Sequence, residues 1–319
     1  MNKTLQRKLI RYSISILIII LIVFAFPRVM PGNPVMFLIG EDILITPDVL
    51  EDLHARLGLD KPVPEQFLLF VQRLFSGDLG YSYHLHSPVA SLIGERAVWT
   101  LLLVGTSLGI GYASGIIFGT WAGWMSKKKF AKVLTGAGIC ISCIPPYLLG
   151  LILFSVFVYH LNWFPYKGLY TTPDIFSVMH HLALPIATLS LFVFARNLLI
   201  MRGSVLAEKN QLYPQFARSL GVSAKKILYG HVMKNAILPV LTQFAIDFGF
   251  IFSGALFIEI IFSLNGLGTL MYDAIITRDY PVLSGLFLII AVMAVIANMV
   301  ADLLYGIVDP RVSREEQEL

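Results

Sequence analysis

Charge is what this chain has least of. Only 14% of its 319 residues are Asp, Glu, Lys or Arg, against 56% hydrophobic, so it cannot clothe a soluble domain of that size in a charged surface. Cysteine is scarce as well. Cys140 and Cys143 are the only two; they lie inside an apolar stretch and offer no disulfide framework. No GxxxxGK[ST] run occurs, and no glycine-rich turn follows a strand, which removes a built-in nucleotide site. HExxH and comparable metal-ligand spacings are also missing. The source of energy for whatever this protein does is therefore expected to lie outside the chain, and no cofactor or metal is expected within it.

What the sequence has in place of charge is apolar length. Six apolar stretches follow one another at residues 12–26, 98–125, 133–161, 182–201, 236–264 and 282–308, several of them longer than the ~18 residues that license a membrane span. The class is an all-α, polytopic membrane protein. Lys3, Arg7, Lys8 and Arg11 precede the first stretch, a pattern shared with secretory signal peptides. No small-x-small cleavage site follows, because the run ends in Phe26-Pro27-Arg28; an uncleaved first span with its N-terminus inside is expected. Pro145-Pro146 must kink or break the third span.

Residues 27–97 are too long and too polar for a turn. They carry turn signals at Met30-Pro31-Gly32-Asn33-Pro34, Leu57-Gly58-Leu59-Asp60-Lys61-Pro62 and Gly77-Asp78-Leu79-Gly80, and Pro47-Asp48 opens a short amphipathic pattern. A small structured domain on the outer face is expected. Of the 24 lysines and arginines, sixteen fall in segments this topology puts inside and seven in those it puts outside, with Arg196 within the fourth span. That asymmetry favours six spans with both termini cytoplasmic. It also explains the net charge of +4 by membrane sidedness and not by nucleic acid.

The longest polar interruption of the second half is residues 202–239. It carries Arg202, Lys209, Arg218, Lys225, Lys226 and Lys234 against a single acid, Glu208. Two short helices broken at Gly221 are expected there, since glycine takes the left-handed conformation that ends a helix, with Ser223 offering a cap to the next. A basic helix–Gly–helix between spans reads either as an amphipathic loop lying on the membrane surface or as a cytoplasmic platform for a partner.

In this segment Tyr213, Phe216-Ala217-Arg218-Ser219-Leu220-Gly221-Val222-Ser223, His231 and Lys234-Asn235-Ala236-Ile237-Leu238-Pro239 resemble the ATPase-coupling segment of ABC-importer permeases. In particular they resemble the first-type permease of the dipeptide/oligopeptide/nickel family. The three outer turn signals above share the resemblance, as do Trp163-Phe164-Pro165, His181-Leu182-Ala183-Leu184-Pro185, Glu259-Ile260-Ile261-Phe262, Asn265-Gly266-Leu267-Gly268, Arg278-Asp279-Tyr280-Pro281 and Asp309-Pro310-Arg311. The match departs at Asn265, Pro146, Ser219, Leu220 and Asp247.

The resemblance implies a type I ABC-importer permease architecture in the cell (inner) membrane. A first span and extracytoplasmic region (1–97) would precede a five-span core (98–309), with coupling helices at 202–235 and a cytoplasmic tail (310–319). It implies a second, homologous permease, two ATPase subunits that dock on the coupling helices, an extracytoplasmic substrate-binding protein, and surrounding lipid. Tyr213, Phe216, Ala217, Arg218, Gly221, Leu238 and Pro239 are the coupling residues it points to. It further implies a chain that is itself no enzyme, carrying peptides or a related solute; a nickel or metal-chelate cargo is the alternative, and a self-sufficient secondary transporter the competing class.

Among intramembrane acids, which usually face a cavity or a partner, Asp247 is the candidate for the substrate pathway. Pairing with Arg196 is the equal alternative. Glu259 is expected to make structural hydrogen bonds, and Asp302 to pair with a basic neighbour or cap backbone groups. Gly105, Gly109, Gly111, Gly115 and Gly119 in the second span fit close helix packing. Cys140, Cys143 and the pairs His84/His86 and His180/His181 are read as packing or water-bonding groups, not as metal ligands.

Overall fold

The structure is a computed structural model that describes residues 3–29, 61–249 and 255–308. The first outer turn signal, the helix expected after Pro47-Asp48, the side chain of Asp302 and the terminal Asp309-Pro310-Arg311 lie outside the described residues.

Helix follows helix. α1 (Lys3–Val29) is followed by α2 (Val63–Phe75) and by a short antiparallel hairpin, β1 (Tyr81–Ser82) and β2 (Ser87–Pro88), in which Ser82 faces Ser87. α3 (Val89–Trp124) leads into α4 (Lys129–Ser142) and α5 (Pro146–Leu153), the latter prolonged by a π-helical segment, Phe154–His160. α6 (Ile175–Lys209) precedes the interrupted stretch α7 (Leu212–Ser219), α8 (Ala224–Ile227), a π turn (Leu228–Val232) and α9 (Met233–Ala236). α10 (Leu238–Gly249), α11 (Leu256–Ile261), α12 (Leu267–Ile276) and α13 (Tyr280–Val308) complete it.

Among the described residues, α3 and α6 are each long and apolar enough to cross a membrane. The pair α4 and α5 with its π segment passes the same test together, bent by 102° at the break. That bend falls where Pro145-Pro146 requires one. Proline in a helix interior loses a backbone bond and kinks the helix, whereas Pro146 occupies the first turn of α5, where its missing N–H costs nothing. α3 begins nine residues before the expected span start at residue 98, so Arg96 lies on the helix.

The most extensive helix contact is α3 on α6, and glycines make it possible. A Cβ on Gly115 would stand 2.7 Å from Cβ of Asn197, on Gly119 2.8 Å from the Leu198 carbonyl oxygen, and on Gly123 2.9 Å from the Arg202 carbonyl oxygen. With Gly111, which would meet Val193, these residues recur every fourth position and form one stripe that lets the two backbones approach. Gly105 and Gly109, expected to share this role, meet nothing: they sit on another face of α3.

α2 packs Phe67, Phe70, Val71 and Leu74 against Ile16, Ile19, Ile20 and Val23 of α1 and Leu288 of α13. Phe24 and Phe67 meet edge to face, 5.2 Å between centroids. The hairpin is pinned to the start of α13, because the Ser82 hydroxyl donates to Asp279, whose other oxygen accepts the Val282 N–H at 3.3 Å. Asp279 thus caps α13 and fastens the β1–β2 hairpin to it.

Candidate functional site

Residues 202–239 fold as the glycine pattern predicts. α7 ends because Gly221 turns left-handed, φ +80°. Its N–H bonds back to the Arg218 carbonyl at 3.0 Å and the next N–H, of Val222, to the Ala217 carbonyl at 3.1 Å. These two bonds are those of the Schellman stop, and the Ala217 and Val222 side chains both pack on the main core. Ser223 stands directly before α8 in extended conformation, but its hydroxyl makes no capping bond. The cap position was legible; the cap itself is not formed. Pro239 is the second residue of α10, where it restricts the chain without breaking a helical bond.

The platform is tied to the long helices by polar contacts that connect distant positions. Glu208, near the end of α6, accepts from the Tyr213 hydroxyl at 2.5 Å and from Asn235 Nδ2 at 3.3 Å. One carboxylate oxygen therefore holds the start of α7 and the end of α9 together. Burial, reinforced by the Glu208 carboxylate, pushes the Tyr213 phenol up to about 12, so it remains a donor at neutral pH. Lys209 donates to the Trp124 carbonyl at 2.6 Å and lies 5.0 Å from the centre of that indole ring. It closes the C-terminal end of α3 in the manner of a cationic cap. Desolvation, followed by the nearby Arg218 and Lys127 charges, depresses the Lys209 ammonium.

Opposite these anchors, α7 presents an uncovered apolar stripe. Leu212, Phe216 and Leu220 are 82%, 66% and 67% exposed, spaced by four so that they share one face. Ala217 and Pro214 take the inward side. On the inward side of α7 a cavity of about 430 Å³ opens between Trp124, Lys209, Pro214, Arg218 and Ile227. Tyr213, Phe216, Ala217, Arg218 and Gly221 thus fall on one small unit, with Leu238 and Pro239 at its exit. Glu208, Asn235, Lys209 and Trp124 belong to it too, though they are not among the coupling residues the resemblance points to. The only available signal was that Glu208 is the single acid in a basic run.

Asp247 lies elsewhere, in α10, and collects donors from three helices. Its Oδ2 accepts from Tyr112 of α3 at 2.5 Å and pairs with Arg196 of α6, while Oδ1 accepts from Gln243 at 3.0 Å. Of the two readings left open, the pairing with Arg196 is therefore made. The Arg196 Nε is buried without a partner.

Glu259 is 1% exposed and wholly engaged. Oε1 accepts from Thr100 at 2.6 Å, and Oε2 from the N–H groups of Gly268 and Thr269 at 2.7 and 3.2 Å. The Thr100 oxygen in turn accepts from the Leu267 N–H at 2.8 Å. The carboxylate satisfies the first turn of α12, and a Cβ on Gly266 or Gly268 would collide with it. The Glu259…Gly268 motif is a structural staple. His180 and His181 are likewise occupied, by the carbonyls of Trp163 at 2.9 Å and Ser177 at 2.7 Å.

Residues 115–314 match the family described as binding-protein-dependent transport system inner membrane component, and residues 1–104 match that family's N-terminal region. The chain belongs to this family. It is a membrane permease subunit of an ABC importer, and the platform at 202–239 is a part of that permease. A protein named as a peptide permease in Brucella ovis is 36% identical over 316 residues, covering 97% of this chain and 98% of that one. One named as a peptide transport system permease in Brucella abortus is 33% identical over 297 residues, covering 93% and 94%. The glutathione transport system permease of Escherichia coli is 31% identical over 303 residues, covering 93% of the permease and 94% of its relative.

Proposed function

We propose that this permease forms half of a transmembrane pathway for peptides, paired with a second, homologous permease. Two ATPase subunits grip the cytoplasmic platform at 202–235, and a binding protein delivers cargo to the opposite face. The reading places six spans in the inner membrane with both termini cytoplasmic, residues 1–97 as first span and extracytoplasmic region, 98–309 as the core and 310–319 as the tail. The chain does no covalent chemistry.

The observation that carries this is the exposed Leu212–Phe216–Leu220 stripe on a helix otherwise fastened to the long helices. A solvent-facing apolar stripe is the signature of an interface. Its fastenings would pass a push on α7 into α6 and α9, and through α9 into the start of α10, instead of dissipating it in a loose loop. ATP-driven closure of the ATPases would draw the platforms of the two permeases together and switch the pathway from inward- to outward-open. Peptide cargo is favoured by the names of the Brucella relatives. Asp247 is placed beside the pathway, its charge held in reserve by Arg196; unchanged uptake by an Asp247→Asn variant of normal abundance would remove it from that role.

The test is ATP-dependent uptake of a labelled peptide into proteoliposomes holding the permease, its partner permease, the ATPases and the binding protein. Omission of the ATPases or of the binding protein should abolish uptake. Uptake by the permease alone, driven by an ion gradient, would overturn the importer reading.

A further inference from the structure

At the start of α3, some 28 residues and therefore about 42 Å along the helix from Trp124, a second cavity of about 450 Å³ opens. It lies at the end of the long helix remote from the platform. Glu95, Arg96 and Trp99 of α3, Tyr170 from the loop before α6, and Asn265 from the turn between α11 and α12 line it. Its size falls in the range of small-ligand sites, and its lining combines a cation, aromatic walls, an amide and an acid.

The Arg96 guanidinium is the unusual element. It is half-buried, yet among the described residues it makes no hydrogen bond and no ion pair. Among the described residues, neither Glu259 nor Glu95 consumes its charge. Glu259 is close enough to feel it, but both Glu259 oxygens already take their donors from Thr100, Gly268 and Thr269. Glu95 is exposed and accepts only a long bond, 3.4 Å, from Ser91. A forked, permanently charged donor set left open in a cavity is what recognition of a carboxylate requires. Trp99 and Tyr170 offer flat faces for the side chain next to that carboxylate, and the Asn265 amide can pair with a peptide group.

We infer that the Arg96–Trp99–Tyr170–Asn265 cavity is a receiving subsite for the free C-terminal carboxylate of an incoming peptide. The inference rests on the peptide-importer reading. It adds a residue that sorts cargo within the permease itself, after the binding protein has made its own selection.

The test compares uptake of tetra-alanine with that of tetra-alanine amide in proteoliposomes carrying the complete importer, for wild type, Arg96→Gln and Arg96→Lys. Because the same binding protein serves all three, its preference cancels in the acid-to-amide ratio. Arg96→Gln should lower uptake of the acid about tenfold and leave the amide within about twofold, and Arg96→Lys, which keeps the charge but loses the fork, should restore only part of the acid's uptake. The amide also reports that the variant importer is assembled and active. Equal losses for acid and amide would overturn the subsite, since Arg96 would then act on folding or on docking of the binding protein. An unchanged ratio would overturn it as well. If the wild-type importer took up neither form, the peptide reading would fall first and the subsite with it.

Discussion

Single residues in this permease are constrained for separable reasons, and substitutions should separate them. At Gly221 a Cβ would meet nothing within 4 Å, so only the left-handed backbone, φ +80°, demands glycine. Gly221→Ala should cost about 1 kcal/mol, whereas Gly221→Asn, which tolerates that conformation, should keep both the fold and ATP-linked uptake. Thermal unfolding in detergent together with uptake would check this; equal losses for Ala and Asn would show that the turn is not what matters. Glu259 behaves differently, because Glu259→Ala would strand three donors in a buried site. The expected loss is at least about 3 kcal/mol, with Glu259→Gln costing less. At Tyr213 the phenol should titrate at about 12 rather than the usual ~10. Its neutral form is favoured in the folded state, so its stabilising contribution is complete below pH ~10 and is lost as pH rises through about 12. The ultraviolet titration difference between wild type and Tyr213→Phe reads this midpoint directly, and Glu208→Gln should lower it.

At the scale of elements, the α3–α6 contact is the clearest case of packing that a single atom would spoil. Gly115→Leu or Gly119→Val would force the two backbones apart and should cost several kcal/mol, while Gly105→Ala and Gly109→Ala should be nearly neutral. Melting temperatures of the four variants check this. These glycines also show what was legible in the sequence. Their number pointed to close packing, but only the four-residue phase of Gly111, Gly115, Gly119 and Gly123 distinguishes the packed stripe from Gly105 and Gly109 on another face. The break at Pro145-Pro146 and the stop at Gly221 were readable because each follows from one residue's own backbone limits. The Glu208–Tyr213–Asn235 knot was not, since it joins positions 27 residues apart through a fold that no local pattern encodes. Arg96 was hidden for the opposite reason: counted as one more outer charge, it acquires meaning only when a helix start, a loop and a turn converge around it.

At the scale of the whole molecule, the two long helices α3 and α6 are linked to the shorter α10 across the apolar interior by the Arg196–Asp247 pair, with Tyr112 and Gln243. Either partner alone is an exposed liability in that setting. Arg196→Gln and Asp247→Asn should each destabilise the permease, and the double variant should recover about 1 kcal/mol or more relative to their sum; additivity would mean the pair carries no energy. α3 runs from the platform end to the Arg96 cavity, and the central proposal is that the ATPases hold the platform. The most direct measurement is co-purification of the ATPase subunits with a permease in which Leu212, Phe216 and Leu220 are all replaced by Ser, scored beside peptide uptake. The stripe faces outward, so the variant should be produced at wild-type abundance, lose the ATPases and lose uptake. Retention of both ATPase and uptake would contradict the account.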